Sequence, residues 1–341
     1  MDHIKGKDMH EQTTDESSFN NIHLKEDNTV IPFQVEELDI RGRAVQLGET
    51  LNSILTRHQY PEPVSYLLAE ALVLTVLLGT SLKLKGKFIL QTHSSGPVNM
   101  LVCDFSPPSH LRGYARFDKE QLKQVIANEK ISSEILLGKG TLAFTIYQGS
   151  HTQPYQGIVA LEGTNLQEAS RIYFDQSEQI PTDIRLAVAI LVNRNQQGKT
   201  QKNWRAGGLL TQFLPKASSH SKIEDLGQKQ EETHPHVQLE NQWQEAKALT
   251  ATIERAELTD PQIGSKRLLF RLFHEYGVRV FNPFSVVDQC SCSRNKIKGM
   301  LEGFPPDERN EMVKNQYISV TCEFCSTTYR FKLKEFSEEK N

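Results

Sequence analysis

Cys290-Ser291-Cys292 and Cys322-Glu323-Phe324-Cys325 decide how the C-terminal part of this chain folds. Twenty-nine residues, Ser293 to Thr321, separate the two pairs, so four of the five cysteines fall in one short window. Two close pairs joined by a loop of this size are what one tetrahedral Zn²⁺ needs, each pair supplying two thiolates. The second pair has an ordinary zinc-knuckle spacing. The first is tighter, but in extended chain Cys290 and Cys292 project from the same face and could converge on one ion. Cysteines that merely pack in a core do not cluster in this way. One Zn²⁺ per chain is expected, with Cys290, Cys292, Cys322 and Cys325 as ligands.

Four thiolates leave no open position for water, which argues against hydrolytic chemistry at the ion. A zinc tetrathiolate carries a net charge of about −2, and Arg294, Lys296 and Lys298 follow the first pair closely enough to offset it. Ionised sulfur also reacts with oxidants, and each pair is close enough in sequence to close its own disulfide. The residues alone leave two readings open, a structural staple and a metal-held redox switch. From Val278 onward the chain has few large apolar residues, too few for so small a unit to hold itself together by burial. A structural zinc site contributes about 10–16 kcal/mol of apparent binding free energy near neutral pH. Removing the metal should therefore unfold this section.

At 341 residues the chain has room for a sizeable core beside that module. Its 39 basic and 42 acidic residues leave a net charge of −3, which gives no overall support for nucleic-acid binding. No apolar run stands near the N-terminus, so a secretory signal is not expected. Five cysteines in that context point to a reducing, cytoplasmic compartment, where thiols serve as ligands or sensors. Val64–Leu82 is apolar enough to raise the question of a membrane span. Glu70 at its middle, with Ser65, Thr75 and the preceding Pro61 and Pro63, favours a buried core helix and no membrane.

Upstream of the module, residues 1–31 are polar and aperiodic and read as a disordered tail. Residues 32–215 read as one α+β domain with mostly antiparallel strands. Phe33–Val45 alternates loosely, as a single strand. Gly48-Glu49-Thr50 opens a helix with Leu51, Ile54 and Leu55 on one face. Lys87–Thr92, Val98–Cys103, Leu111–Phe117, Leu142–Tyr147 and Gly157–Leu161 read as strands. Thr164 is placed to cap a helix over residues 165–176. Ile184–Val192 is long enough for a strand buried on both faces, and Leu209–Leu214 closes the domain. Gly207-Gly208 reads as a backbone turn, and Cys103 as a packing thiol. The histidines form no catalytic constellation; His234 and His236 lie in a polar stretch and His274 reads as structural. Residues 216–276 form a linker, polar to about Glu240. Two amphipathic helices follow, one with Trp243, Ala246, Leu249, Ile253 and Ala256, the next beginning near Pro261 with Leu268, Leu269, Leu272, Phe273 and Tyr276. Residues 277–341 are the zinc-binding module.

The two cysteine pairs, with Ser293-Arg294 after the first, resemble the C-terminal redox centre of the bacterial Hsp33 family of redox-regulated chaperones. Tyr155–Gly163, Ser177–Thr182 and Arg271–Glu275 are similar to further segments of that family, in the same order. The resemblance runs from about Phe33 to Phe336 and departs at the N-terminal tail, in an enlarged polar linker and at Cys103. It implies an ATP-independent holdase rather than an enzyme, inactive while reduced and zinc-bound. It further implies that oxidants join Cys290 to Cys292 and Cys322 to Cys325, that zinc is released, and that module and linker lose structure. Apolar surface then becomes available to unfolding client proteins, and the activated chains associate as homodimers. A rival from another class is a zinc ribbon binding nucleic acid through Arg294, Lys296, Lys298, Lys332 and Lys334. Glu302, Asp307, Glu308 and Glu311 dilute that field, and no nucleic-acid partner is expected.

Overall fold

The computed structural model describes residues 27–336, apart from residues 83, 130, 150–151, 195–196 and 215–234. Most of the tail and of the polar linker expected from the sequence therefore lies outside the described residues, as does His234. In chain order the first elements are β1 (Thr29–Val35), β2 (Ile40–Leu47), α1 (Glu49–His58), α2 (Glu62–Ser81), β3 (Lys87–Ser94), β4 (Met100–Ser106) and β5 (His110–Arg116). Then come α3 (Lys119–Ala127), α4 (Ser133–Leu137), β6 (Lys139–Tyr147), β7 (Tyr155–Glu162), α5 (Leu166–Tyr173), β8 (Thr182–Arg194) and β9 (Thr200–Phe213). Helices α6 (Pro235–Ala251), α7 (Arg255–Thr259) and α8 (Gly264–Phe273) lead into β10 (Val278–Val280), β11 (Phe284–Ser285) and β12 (Val287–Asp288). The chain closes with α9 (Arg294–Glu302), α10 (Pro306–Glu311), β13 (Ile318–Thr321) and β14 (Thr328–Phe331).

Two sheets carry this α+β fold. The first has the order β10-β1-β2-β9-β8, with β11 also on β1; the second has the order β12-β5-β4-β3-β6-β7. Among the described residues the pairings are antiparallel except β12 on β5. Helix α2 packs against both sheets. It is apolar almost all round, as a helix without a solvent face must be, and Leu68, Leu72, Val76 and Leu77 are fully buried. Thr75 satisfies its hydroxyl on the Ala71 carbonyl at 2.7 Å, and the Glu70 carboxylate accepts from Ser133 Oγ at 3.0 Å. Length and composition alone would let this helix cross a membrane; in this fold the two sheets cover it.

The first sheet is apolar on both faces. Val30, Val45, Leu47, Ile184 and Leu210 belong to the core around α2. Their strand neighbours Ile31, Phe33, Ile40, Leu209 and Phe213 face the other way, into a second cluster, as period-two alternation requires. Helices α6–α8 cover that second face with Ala246, Leu258, Leu268, Leu269, Leu272 and Phe273. The Phe33 and Phe273 rings stack at 5.7 Å. Two polar tethers support the cover: Arg205 Nε donates to the Thr259 carbonyl at 2.8 Å, and Gln46 Nε2 to the Asp260 carbonyl at 3.1 Å. Carbonyls at the end of a helix have no intrahelical partner and take such donors readily.

Several sequence expectations need correction. Phe33–Val45 is not one strand: a 3-10 turn over Glu36–Leu38 and left-handed Asp39, at φ 50°, fold it into the hairpin β1–β2. Helix α5 is capped by Asn165, not Thr164, through Asn165 Oδ1 and the Glu168 amide at 2.9 Å, and it passes into a π turn at Phe174. Among the described residues, three helices rather than two lie between the polar stretch and β10. The first starts at Pro235 and stops at Ala251, and Ala256 lies beyond the break in α7, which opens with a capping box of Glu254 and Glu257. Gly207-Gly208 is no turn but the middle of β9. A Cβ on Gly207 would sit 1.8 Å from the Leu258 carbonyl of α7, and one on Gly208 would sit 2.7 Å from Val73 of α2. The pair is glycine because helices approach the strand from both sides.

Replacing Gly207 by Ala should therefore push α7 off the sheet, at a cost of about 1–3 kcal/mol typical of overpacking. Amide exchange across residues 255–273 should speed up while α2 stays protected. Gly299→Ala, whose Cβ would meet nothing within 4 Å, should leave exchange there unchanged.

Candidate metal centre

The last part of the chain is built around three buried side chains, Leu301 on α9, Ile318 on β13 and Phe331 on β14. Hairpin β13–β14 turns through Cys322–Thr327. The Cys322 amide donates to the Thr327 carbonyl at 3.0 Å and the Ser326 amide to the Cys322 carbonyl at 2.8 Å. Left-handed Ser326, at φ 56°, completes the reversal and brings Cys322 and Cys325 together. Cys290 and Cys292 lie in irregular chain just ahead of α9, whose N-terminus Ser293 caps by accepting from the Lys296 amide at 3.3 Å.

The fold gathers all four sulfurs within 4.8 Å of one another. Cys290 Sγ faces Cys322 Sγ at 3.7 Å, and Cys292 Sγ faces Cys325 Sγ at 3.3 Å. Zn–S bonds of about 2.3 Å at tetrahedral angles would set sulfurs about 3.8 Å apart. Four half-buried soft donors at this spacing thus fit a tetrahedral metal ion after small shifts. The sulfurs are not equivalent. Burial raises the Cys292 thiol to about 12, although the Tyr329 hydroxyl, 3.2 Å away, works against it. Burial also raises Cys322. At Cys325 burial is outweighed by hydrogen bonding with the hydroxyl and amide of Thr327, and the thiol falls to about 7. Cys103 stays apart, fully buried on β4 with its thiol pushed up by burial.

The basic residues expected to offset the sulfur charge are engaged elsewhere. Arg294 lies over the Phe331 ring at 4.3 Å and pairs with Glu335 at 2.7 Å. Lys296 Nζ donates to the Ser291 carbonyl at 2.7 Å, and Lys298 pairs with Glu302 at 3.4 Å. A cation reaches the sulfurs from a place the sequence reading did not consider. Arg112 on β5 donates from one guanidinium nitrogen to Cys290 Sγ at 3.5 Å, and its guanidinium lies over the Phe324 ring at 3.9 Å. Period two sets Tyr114 and Arg116 on the same face of β5. Tyr114 meets Phe324 edge-on at 4.8 Å, and Arg116 donates to Glu323 at 2.6 Å. From the end of α1, His58 Nε2 lies 3.1 Å from the Phe324 carbonyl, and burial lowers the pKa of that imidazole. Glu323 and Phe324, the two residues inside the second pair, are thus the module's foothold on the core. Nothing in local spacing could reveal Arg112, which is remote in sequence from both pairs.

Comparison with known proteins bears on the whole chain. A family model described as Hsp33 protein matches residues 28–332. The 33 kDa chaperonin of Caulobacter vibrioides is 39% identical over 306 residues, 89% of this chain and 94% of its own length. That of Nitrosococcus oceani is 36% identical over 300 residues, 88% of this chain and 89% of its own. The crystal structure of the Thermotoga maritima 33 kDa chaperonin has the same fold, with a TM-score of 0.69 at 21% identity over 91% of this chain and 97% of its own.

In reduced protein stripped of metal, iodoacetamide should modify Cys290, Cys292, Cys322 and Cys325 at similar rates, because the fold that sets their sulfurs apart is lost with the metal. Cys103 should be spared while the core is folded. Peptide mass spectrometry over a time course reads the rates; a Cys325 that stays well ahead of the other three would show that the module keeps its fold without metal.

Proposed function

The chain belongs to the Hsp33 family, and on that premise we propose that it is a redox-regulated, ATP-independent holdase of the cytoplasm. One observation carries the reading. Helices α6–α8 cover an apolar sheet face and run on into a module whose own core is three side chains and a cluster of four cysteines. The proposed units are a core of residues 32–215, a linker of 216–276 and a switch module of 277–341. The first strands of that module, β10–β12, strap it to both sheets of the core.

Cys290, Cys292, Cys322 and Cys325 would hold one Zn²⁺ in the reduced state. Bound there, the ion would cross-link the two halves of the module, with about 10–16 kcal/mol of apparent binding free energy near neutral pH. The linker then stays docked and the chaperone is inactive. On oxidation the Cys290 and Cys292 thiolates give two electrons to one hydrogen peroxide. A sulfur–sulfur bond forms, the peroxide O–O bond breaks, and two protons complete two waters. Cys322 and Cys325 do the same with a second peroxide. Disulfides offer no thiolate to a metal, and the module is left with a core too small to hold it. Helices as short as α7 and α8 are marginal once undocked. They uncover Phe33, Ile40, Leu209 and Phe213, each worth about 1.5–3 kcal/mol when buried. A contiguous apolar face of this kind suits the exposed apolar segments of unfolding proteins, and activated chains would pair as homodimers. The relatives' name is a chaperone's, not an enzyme's.

Metal analysis of the reduced protein should find one zinc per chain, lost in Cys322→Ser and kept in Cys103→Ser. Full zinc in the Cys322→Ser variant would sink the four-ligand site. Oxidised protein should suppress aggregation of a thermally unfolding client in light scattering without ATP. Its amide exchange should quicken across residues 242–276 while α2 stays protected. Oxidised protein that keeps its reduced-state exchange and scattering would leave the cysteines as a staple alone.

Peptide mapping after oxidation should recover Cys290–Cys292 and Cys322–Cys325. Because the nearest sulfurs in the folded site lie across the pairs, at 3.7 and 3.3 Å, Cys290–Cys322 and Cys292–Cys325 are the competing products. Their dominance would overturn the proposed pairing.

A further inference from the structure

Arg112 occupies an unusual position for a strand residue on the face of a sheet. Its partner across the β4–β5 ladder is Asp104, a carboxylate only 4% exposed. The two are joined by three contacts, from Nε at 2.9 and 2.8 Å and from a terminal nitrogen at 2.6 Å. This fork fixes the plane of the guanidinium. In that plane one further N–H points to Cys290 Sγ, and the flat face lies against Phe324. One rigid cation therefore touches both cysteine pairs, the first through a sulfur and the second through the ring between its two cysteines.

We propose that Arg112 is the positioning residue that couples the state of the four cysteines to docking of the module on the core. The inference rests on the reading of those cysteines as a metal site. Thiolate sulfur is an anionic acceptor, so its contact with Arg112 is charge-assisted. Sulfur in a disulfide carries no such charge. The same contact that holds the module in the reduced state is thus weakened by the oxidation that releases it. The stack on Phe324 needs the knuckle turn intact, so unfolding of either half undoes the foothold. In return, the docked guanidinium orients Cys290 and screens the thiolate cluster, as outer partners of metal ligands generally do. Lysine cannot replace it, since an ammonium has neither the planar fork nor the stacking face.

The test compares the parent with Arg112→Lys, Phe324→Leu and the double variant, all purified reduced with zinc. Because Arg112→Lys strains a buried carboxylate, Phe324→Leu serves as the variant that leaves Asp104 and its partner in place. Two quantities are read: the rate at which a chromophoric chelator takes the zinc, and amide exchange across residues 318–331. Arg112→Lys should release zinc faster by about ten- to a hundredfold, the usual consequence of losing an outer partner of a metal ligand. Exchange in β13–β14 should quicken while α2 keeps its protection. Phe324→Leu should act in the same direction. The double variant should do little more than the stronger single one, since both break one contact. Parental zinc release and exchange in Arg112→Lys, or effects of the two changes that multiply, overturn the coupling. A parent that holds no zinc overturns the metal reading itself, which is a distinct result from a parent that holds zinc and a variant that releases it no faster.

Discussion

Strands β1, β2, β8 and β9 bury side chains on both faces, so their sheet needs two covers. The inner cover is α2, twenty residues long and packed against both sheets. It cannot leave without dissolving the core. The outer cover is three separate helices, of which α7 spans five residues and α8 ten. Helices α7 and α8 are too short to persist alone in water. The two faces are alike in chemistry and unlike in how firmly they are covered. That asymmetry makes a face hidden in one state and offered in another physically reasonable for this fold.

The module that follows the outer cover is held by little besides its cysteines. Its interior is Leu301, Ile318 and Phe331, helped by half-buried neighbours such as Ile297 and Tyr329. Burial on that scale does not offset the entropy of ordering some forty residues. Besides the β10–β12 strap, the geometry offers two supports: four sulfurs gathered at metal-binding distance and a foothold on β5. The last two meet in Arg112, whose guanidinium touches Cys290 and the Phe324 ring. Ion pairs at the margin, such as Arg116 with Glu323, are half-exposed and worth little by comparison.

Much of this was legible in the sequence. The cysteine spacing foretold the gathering of four sulfurs, and the apolar run of α2 foretold a core helix, because both signals are local and chemically narrow. The α+β class and most strands followed from period-two patterns. What escaped was set by tertiary contact. Gly207-Gly208 looks like a turn because glycine pairs usually free the backbone; here they make room for α7 and α2 on opposite faces of a strand. The β1–β2 hairpin has neither glycine nor proline at its bend, only Asp39 in a left-handed conformation that aspartate tolerates. Leu111–Phe117 reads from its period simply as a strand, and only the fold brings the knuckle against Arg112, Tyr114 and Arg116.

The path from module to cover runs through the strap of β10, β11 and β12, which are three, two and two residues long. Strand β10 continues directly from the end of the outer cover, through Tyr276 and left-handed Gly277, and pairs with β1 at Phe33 to Val35. Strand β12 ends at Asp288, which is ion-paired with Arg57 and accepts from Ser53 at 2.8 Å, two residues before Cys290. Strands this short hold few ladder hydrogen bonds, and Val280 and Val287 are 41% and 39% exposed. On the proposed reading, a module that has come loose no longer pins the Asp288 end. The strap can then fray from β12 back to β10, and the next residues to lose support are Phe273 and Tyr276, which lie over Phe33 and its neighbours. Chain connectivity thus gives the cysteines a physical route to the apolar face that requires no direct contact between the two.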